Sequence, residues 1–336
     1  MSSRVHKAFL GFGYLLSLGA GIAAAFFLFI YCSGLGLSFL ARIAQNPVSP
    51  FVPPFFETES SGVKMESGEY TSSYDNAYYD LYYPGDLEDD EKVPVIFWMH
   101  GGYFIVGDRT SLKVYGTHFA AHGFAFVSLD YALAPETTYP APVVQYSEAV
   151  HYFINNAKLF PMCDFTKIAI GGDSTGAQIA AQYLTVESNP ELATEMRIPR
   201  LADQSRIKAA LLYCGPYDIA LINDYSGDNI FGRIFAGIGW AYFGIKDWDA
   251  GDLKQQVDVV SNTTAAFAPA FITDGNSYSF KNHAEELVDS LTALHVPYVT
   301  YYPDETNPDG LDDNMYNHEY QFDWEKYPEA SDECFA

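Results

Sequence analysis

From about residue 66 onward, short runs rich in aliphatic, β-branched and aromatic residues alternate with longer stretches whose apolar positions recur at helical spacing. The short runs predict strands at 78–83, 93–99, 124–129, 167–170, 207–213, 268–273 and 298–302. The run at 93–99 is almost continuously apolar, as in a strand covered on both faces, and the run at 78–83 stops at Pro84. Helical periodicity falls between them at 111–121, 143–159, 177–187 and 283–294. This order predicts an α/β fold: a mostly parallel sheet with helices on both faces. Residues 218–264 break the alternation. Their aromatic-rich stretch 230–248 carries apolar residues near 3.6 spacing, which fits either a lid over a site or a helix packed on the surface.

The N-terminus has a different pattern. Residues 8–41 contain no charged side chain, and a helix of about 20 apolar residues crosses a bilayer. The run is too long for the apolar region of a cleavable signal, and it is apolar on every side, unlike a helix packed on one face of a core. One N-terminal transmembrane helix over 1–42 is therefore expected, followed by a stiff linker over 43–65 containing Pro47, Pro50, Pro53 and Pro54 and by a catalytic domain over 66–336. Arg4 and Lys7 precede the run and Arg42 follows it, which orients the N-terminus to the cytoplasm and leaves the large domain membrane-anchored and extracytoplasmic.

A length of 336 residues suits one α/β domain with appendages, and 49% hydrophobic and 16% aromatic content can fill its core. The formal net charge is −25, and because the first 42 residues hold three basic and no acidic side chains, the remainder is more acidic still. Such a surface repels phosphate backbones, so nucleic acid is not an expected partner. Cys32, Cys163, Cys214 and Cys334 show neither the spacing of a zinc site nor that of a disulfide framework.

The chemistry is concentrated in three places. Gly172-Asp173-Ser174-Thr175-Gly176 directly follows the predicted strand at 167–170 and opens the helical pattern at 177–187. A sharp strand-to-helix turn of this kind lifts a serine oxygen clear for attack, with glycines two residues away on either side avoiding collision. His100-Gly101-Gly102-Tyr103 follows the buried strand at 93–99 and offers backbone N–H donors where an acyl oxyanion would form. The candidate hole comprises Gly101, Gly102, Tyr103 and, after the nucleophile, Thr175. A base is needed late in the chain if the order is serine, acid, histidine, and His318 lies beyond the last predicted strand. His283 and His295, in or beside a helical pattern, are expected at the surface. For the acid, Asp274 follows the strand at 268–273 and Asp218 follows the strand at 207–213, and both stay open. Asp304 and residues 309–313 read as a solvated acidic loop.

Together these residues resemble the hormone-sensitive-lipase-like carboxylesterases of the α/β-hydrolase superfamily. The likeness runs from His100-Gly101-Gly102-Tyr103-Phe104 with Gly107-Asp108-Arg109, through Asp130-Tyr131-Ala132-Leu133-Ala134-Pro135-Glu136 and the Ser174 turn, to His318-Glu319-Tyr320-Gln321-Phe322. It covers about residues 75–325. The resemblance implies an α/β-hydrolase fold with a helical insertion and hydrolysis of short-chain acyl esters through an acyl-enzyme, with a small-molecule ester as substrate and no metal or organic cofactor. A serine peptidase or acyl-amino hydrolase on the same fold, and a catalytically silent hydrolase serving as a binding module, are the competing readings, because fold does not choose among them. Three positions depart from the family pattern. Tyr103 stands where a third glycine is usual, which narrows the acyl pocket. Tyr278-Ser279-Phe280 stands where Asp-Pro-Leu is usual, which moves the acid to Asp274 or Asp218. The sequence stops at Ala336, where the family's closing helix would be incomplete around His318.

Overall fold

In a computed structural model of the protein, the described residues are 51–218, 230–248 and 251–336, together with 14, 17–29, 36, 40, 42 and 43; for 230–235 only the backbone is described. The centre is an eight-stranded sheet: β1 Val63–Glu69, β2 Tyr78–Pro84, β3 Val93–Met99, β4 Ala125–Leu129, β5 Cys163–Asp173, β6 Ile207–Tyr213, β7 Ala270–Thr273 and β8 Tyr298–Tyr301. Their spatial order is β1-β2-β4-β3-β5-β6-β7-β8. β1 and β2 run antiparallel to their neighbours, and every pairing from β4 to β8 is parallel. The expected α/β architecture is present, with strand positions close to those read from the apolar runs.

The parallel centre explains the composition of its strands. Val95, Phe97 and Met99 pack in one core layer, while Ile96 and Trp98 pack in the layer on the opposite face, so β3 has no solvent side. Each large apolar side chain buried in this way contributes about 1.5–3 kcal/mol. β4 is buried along its whole length for the same reason. Helices fill both faces, including Lys113–Ala121, Ala141–Asn155, Thr175–Ser188 and Lys281–Ala293.

Three expectations change. The linker ends earlier than residue 65: Phe55–Ser60 is helical, and β1 begins at Val63, paired along its full length with β2. β1 was concealed because it is an edge strand with little burial, so its sequence VKMESGE carries no apolar run. The expected N-terminal transmembrane helix is not supported, and much of its segment lies outside the described residues. Among the described residues no helix is long and apolar enough to cross a membrane. His283 is fully buried rather than superficial, edge-on to Phe280, while His295 is exposed.

The C-terminal helix Pro328–Phe335 supplies the packing around residues 316–320: Ala330 and Cys334 are buried, and Ser331 Oγ donates to the Tyr320 carbonyl at 3.0 Å. The acidic loop is partly structural. Asp304 pairs with Lys281 at 2.8 Å, and Asp309 accepts from the Glu329 N–H at the start of that helix.

Candidate active site

β5 ends at Asp173 and the helix Thr175–Ser188 begins one residue after Ser174, so the serine alone makes the turn. It does so with φ of 51°, in the left-handed region, at a cost of about 1–3 kcal/mol for a residue other than glycine. The flanking glycines are required by contact. A Cβ on Gly172 would stand 2.4 Å from the Gly176 carbonyl, and one on Gly176 would stand 2.0 Å from the Met99 carbonyl oxygen. The turn is pinned to the sheet by the Ser174 N–H, which donates to Tyr213 O at 2.8 Å.

His318 reaches this serine from a loop 144 residues further along, with Nε2 2.9 Å from Ser174 Oγ. The loop is held by His318 N donating to Ser277 O and by a bridge between Ser277 and Asn317. On the other side of the ring, Nδ1 faces Asp274 Oδ1 at 3.7 Å. That separation is beyond a hydrogen bond, so in this geometry Asp274 acts on the ring through its charge. Asp274 is fully buried and held by two backbone donors, Gly275 N to Oδ1 and Phe280 N to Oδ2, each 2.8 Å. Phe280 belongs to the segment that departs from the family pattern, and it supports Asp274 through its backbone. Of the two candidate acids, Asp274 is the one that faces the His318 imidazole. Burial pulls the His318 pKa down, but Asp274 and the Glu319–Asp173 carboxyl pair outweigh it, so the ring holds its proton more tightly than usual.

The oxyanion turn is built from the motifs before and after it. Asp130 accepts from the Arg109 N–H at 2.6 Å and pairs with its guanidinium at 2.6 Å, while Asp80 takes Nε at 2.9 Å, forming a largely buried ionic buttress. Ala134 N donates to Phe104 O, and Ile105 N and Val106 N both donate to Gly102 O. Gly102 has φ of 121°, and a Cβ there would stand 2.1 Å from Val106 O, so glycine is obligatory. Tyr103 follows with φ of 56°.

The four expected donors do not stand alike. The Gly101 N–H is taken by Asp173 Oδ2 at 2.8 Å and is withdrawn from the candidate hole, a correction to the expectation. Thr175 opens its helix, so its N–H has no partner one turn earlier, and Gly102 donates no hydrogen bond among the described residues. Thr175 and Tyr103 line the pocket beside Ser174. Sequence reasoning also missed the anchoring role of Asp173, whose Oδ1 accepts from Trp98 Nε1 at 2.7 Å and thereby ties the nucleophile turn to the oxyanion turn.

An apolar pocket opens beside Ser174, lined among others by Tyr103, Phe104, Tyr242, Phe243, Trp248 and Phe280. Part of its wall is the insertion helix Ile230–Phe243, whose Tyr242 ring stacks on Phe104 at 3.7 Å. Tyr103 intrudes where a glycine would leave space.

Two groups of side chains lie close enough to share a cation among the described residues: Glu59, His118 and His122, and Cys214, Asp274 and His318. In the first, Glu59 already accepts from His118 Nδ1 at 2.8 Å. In the second, the Asp274 oxygens serve backbone donors and burial holds the Cys214 thiol well above its usual pKa, protonated and a poor ligand.

A family profile described as BD-FAE matches residues 79–280, the stretch holding the His100–Tyr103 turn, the Arg109 ion pairs, Ser174 and Asp274. The chain belongs to the BD-FAE family. Its fold is that of the α/β-hydrolases: esterase B from Lactobacillus rhamnosis superposes with a TM-score of 0.68 at 18% identity, covering 99% of this chain and 93% of that one. An esterase from Pyrobaculum calidifontis gives 0.61 at 20% identity, covering 88% and 94%. In sequence, an esterase of Gibberella moniliformis is 34% identical over 104 residues, which is 31% of this chain and 32% of that protein. Isoprenylcysteine alpha-carbonyl methylesterase ICME of Arabidopsis thaliana is 26% identical over 218 residues, 64% of this chain and 49% of the relative. The alignments thus span from about a third to a half of these relatives' lengths. The resemblance to α/β-hydrolase carboxylesterases read from the motifs is borne out.

Proposed function

We propose that this BD-FAE family protein is a serine carboxylesterase acting on short-chain acyl esters. The observation that carries the reading is the 2.9 Å contact between Ser174 Oγ and His318 Nε2 at a strained strand-to-helix turn, with Asp274 behind the ring. His318 takes the hydroxyl proton as Ser174 attacks the ester carbonyl, and the N–H groups of Gly102, Tyr103 and Thr175 receive the oxyanion. The imidazolium returns its proton to the departing alcohol, and water attacks the acyl-enzyme with the same base. The apolar pocket narrowed by Tyr103 supports a short acyl chain. So does the fold neighbour esterase B, which was crystallised with a tributyrin phosphonate inhibitor.

The test is hydrolysis of p-nitrophenyl acetate by the parent and by Ser174→Ala, with fluorophosphonate labelling of both. The parent hydrolyses the ester and takes the label at Ser174, and the variant does neither. A Ser174→Ala protein as active as the parent overturns the reading.

A further inference from the structure

Glu319 follows the base directly in the chain and adopts the left-handed conformation, with φ of 60°. Its Oε1 lies 3.9 Å from His318 Nε2, the nitrogen that also meets Ser174 Oγ. It also converges on the nucleophile turn. The position that a Cβ on Gly101 would occupy is 2.8 Å from Glu319 Oε1 and 2.6 Å from Asp173 Oδ2, so the two carboxyl groups crowd the same glycine.

Asp173 and Glu319 thus form a close carboxyl pair, and like charges at such spacing in a buried site favour the pair's retaining one proton. Both oxygens of Asp173 already accept, from Trp98 Nε1 and from Gly101 N, so the proton resides on Glu319 and Asp173 carries the charge. The titratable groups facing Glu319 are His318, Asp173, Asp274 behind the imidazole, the Tyr103 phenol and the Cys214 thiol, and Asp173 also faces His100. Burial and the Asp173 charge push Glu319 up to about 7, against the pull of His318. The side chain keeps 37% exposure, so it meets whatever enters the site.

We propose that Glu319 is a positioning residue of the catalytic base, acting where the alcohol leaves and water arrives. The alcohol or water oxygen must bond His318 Nε2, and a gap of 3.9 Å between Nε2 and Oε1 lets one oxygen touch both at ordinary hydrogen-bond length. In deacylation the water gives its proton to Nε2 as its oxygen bonds the acyl carbon. The carbon–Oγ bond then breaks, and Oγ takes the proton back from the imidazolium. Throughout, the carboxyl pair holds one proton and one negative charge close to that imidazolium.

The inference rests on the serine-esterase reading. The full-length parent, Glu319→Gln and Glu319→Leu are compared by the pH dependence of kcat/KM on p-nitrophenyl acetate and by kcat, with Ser174→Ala beside them. Glu319→Gln keeps a donor toward Asp173 and, like the protonated carboxyl it replaces, carries no charge, so its acid-limb midpoint stays within about 0.3 pH units of the parent's. Glu319→Leu loses the donor as well, and its kcat falls about tenfold further than that of Glu319→Gln. A Glu319→Gln midpoint lowered by about half a pH unit or more, the mark of an ionised Glu319, or equal kcat in the two variants, overturns the role of Glu319. An active Ser174→Ala overturns the underlying reading instead.

Discussion

Asp274→Asn separates the two acids that spacing alone left open. At an effective dielectric of about 20, unit charges 3.7 Å apart attract by about 4–5 kcal/mol. His318 is 17% exposed, so water screens part of this and about 3–4 kcal/mol of imidazolium stabilisation is at stake. At about 1.4 kcal/mol per factor of ten, kcat/KM falls by about 10²–10³. The same substitution has a structural cost. Gly275 N and Phe280 N each use one carboxylate oxygen, and an amide offers only one acceptor oxygen, so a buried N–H is left unsatisfied at about 1–3 kcal/mol. Urea melts measure that loss separately, and rates are normalised to folded protein. The assay is kcat/KM on p-nitrophenyl acetate for the parent, Asp274→Asn and Asp218→Asn, and the last stays within a few-fold of the parent. Loss of less than tenfold in Asp274→Asn together with a hundredfold loss in Asp218→Asn refutes the assignment.

Arg109→Met leaves Asp80 and Asp130, both almost fully buried, without their cation, and is expected to cost about 3–5 kcal/mol in urea denaturation. Loss of the buttress also loosens the oxyanion turn, so kcat falls even in protein that remains folded; unchanged stability and unchanged kcat together refute the buttress. His283 is expected to make the fold acid-sensitive. Burial lowers its folded pKa to about 4 from the ordinary 6.5, so below pH 6.5 the unfolded chain binds a proton that the folded one refuses. Stability contributed by the neutral ring is therefore present above pH 6.5 and lost as pH falls toward 4, by about 3 kcal/mol in all. His283→Gln flattens the pH dependence of unfolding free energy by that amount, and a slope equal to the parent's refutes the account.

What was legible in the sequence was local. The strand at 93–99 was readable because burial on both faces demands a continuous apolar run, and Ser174 because a strand, two glycines and a helix around one serine form a contiguous pattern. His318 was readable from chain order. The tertiary structure decided whatever depends on groups distant in sequence. It put Asp274 rather than Asp218 behind the imidazole, because Gly275 and Phe280 hold that carboxylate in place. Asp173, 72 residues from Gly101, takes that N–H from the oxyanion hole. β1 shows no apolar signature because an edge strand needs none, and His283 is buried because its helix turns that residue onto the core. Glu319 is an ordinary charged residue in the sequence. Only the left-handed turn after His318 and the presence of Asp173 across Gly101 make it part of the site, because the coupling of two carboxyls is set by their separation in space and not by either residue.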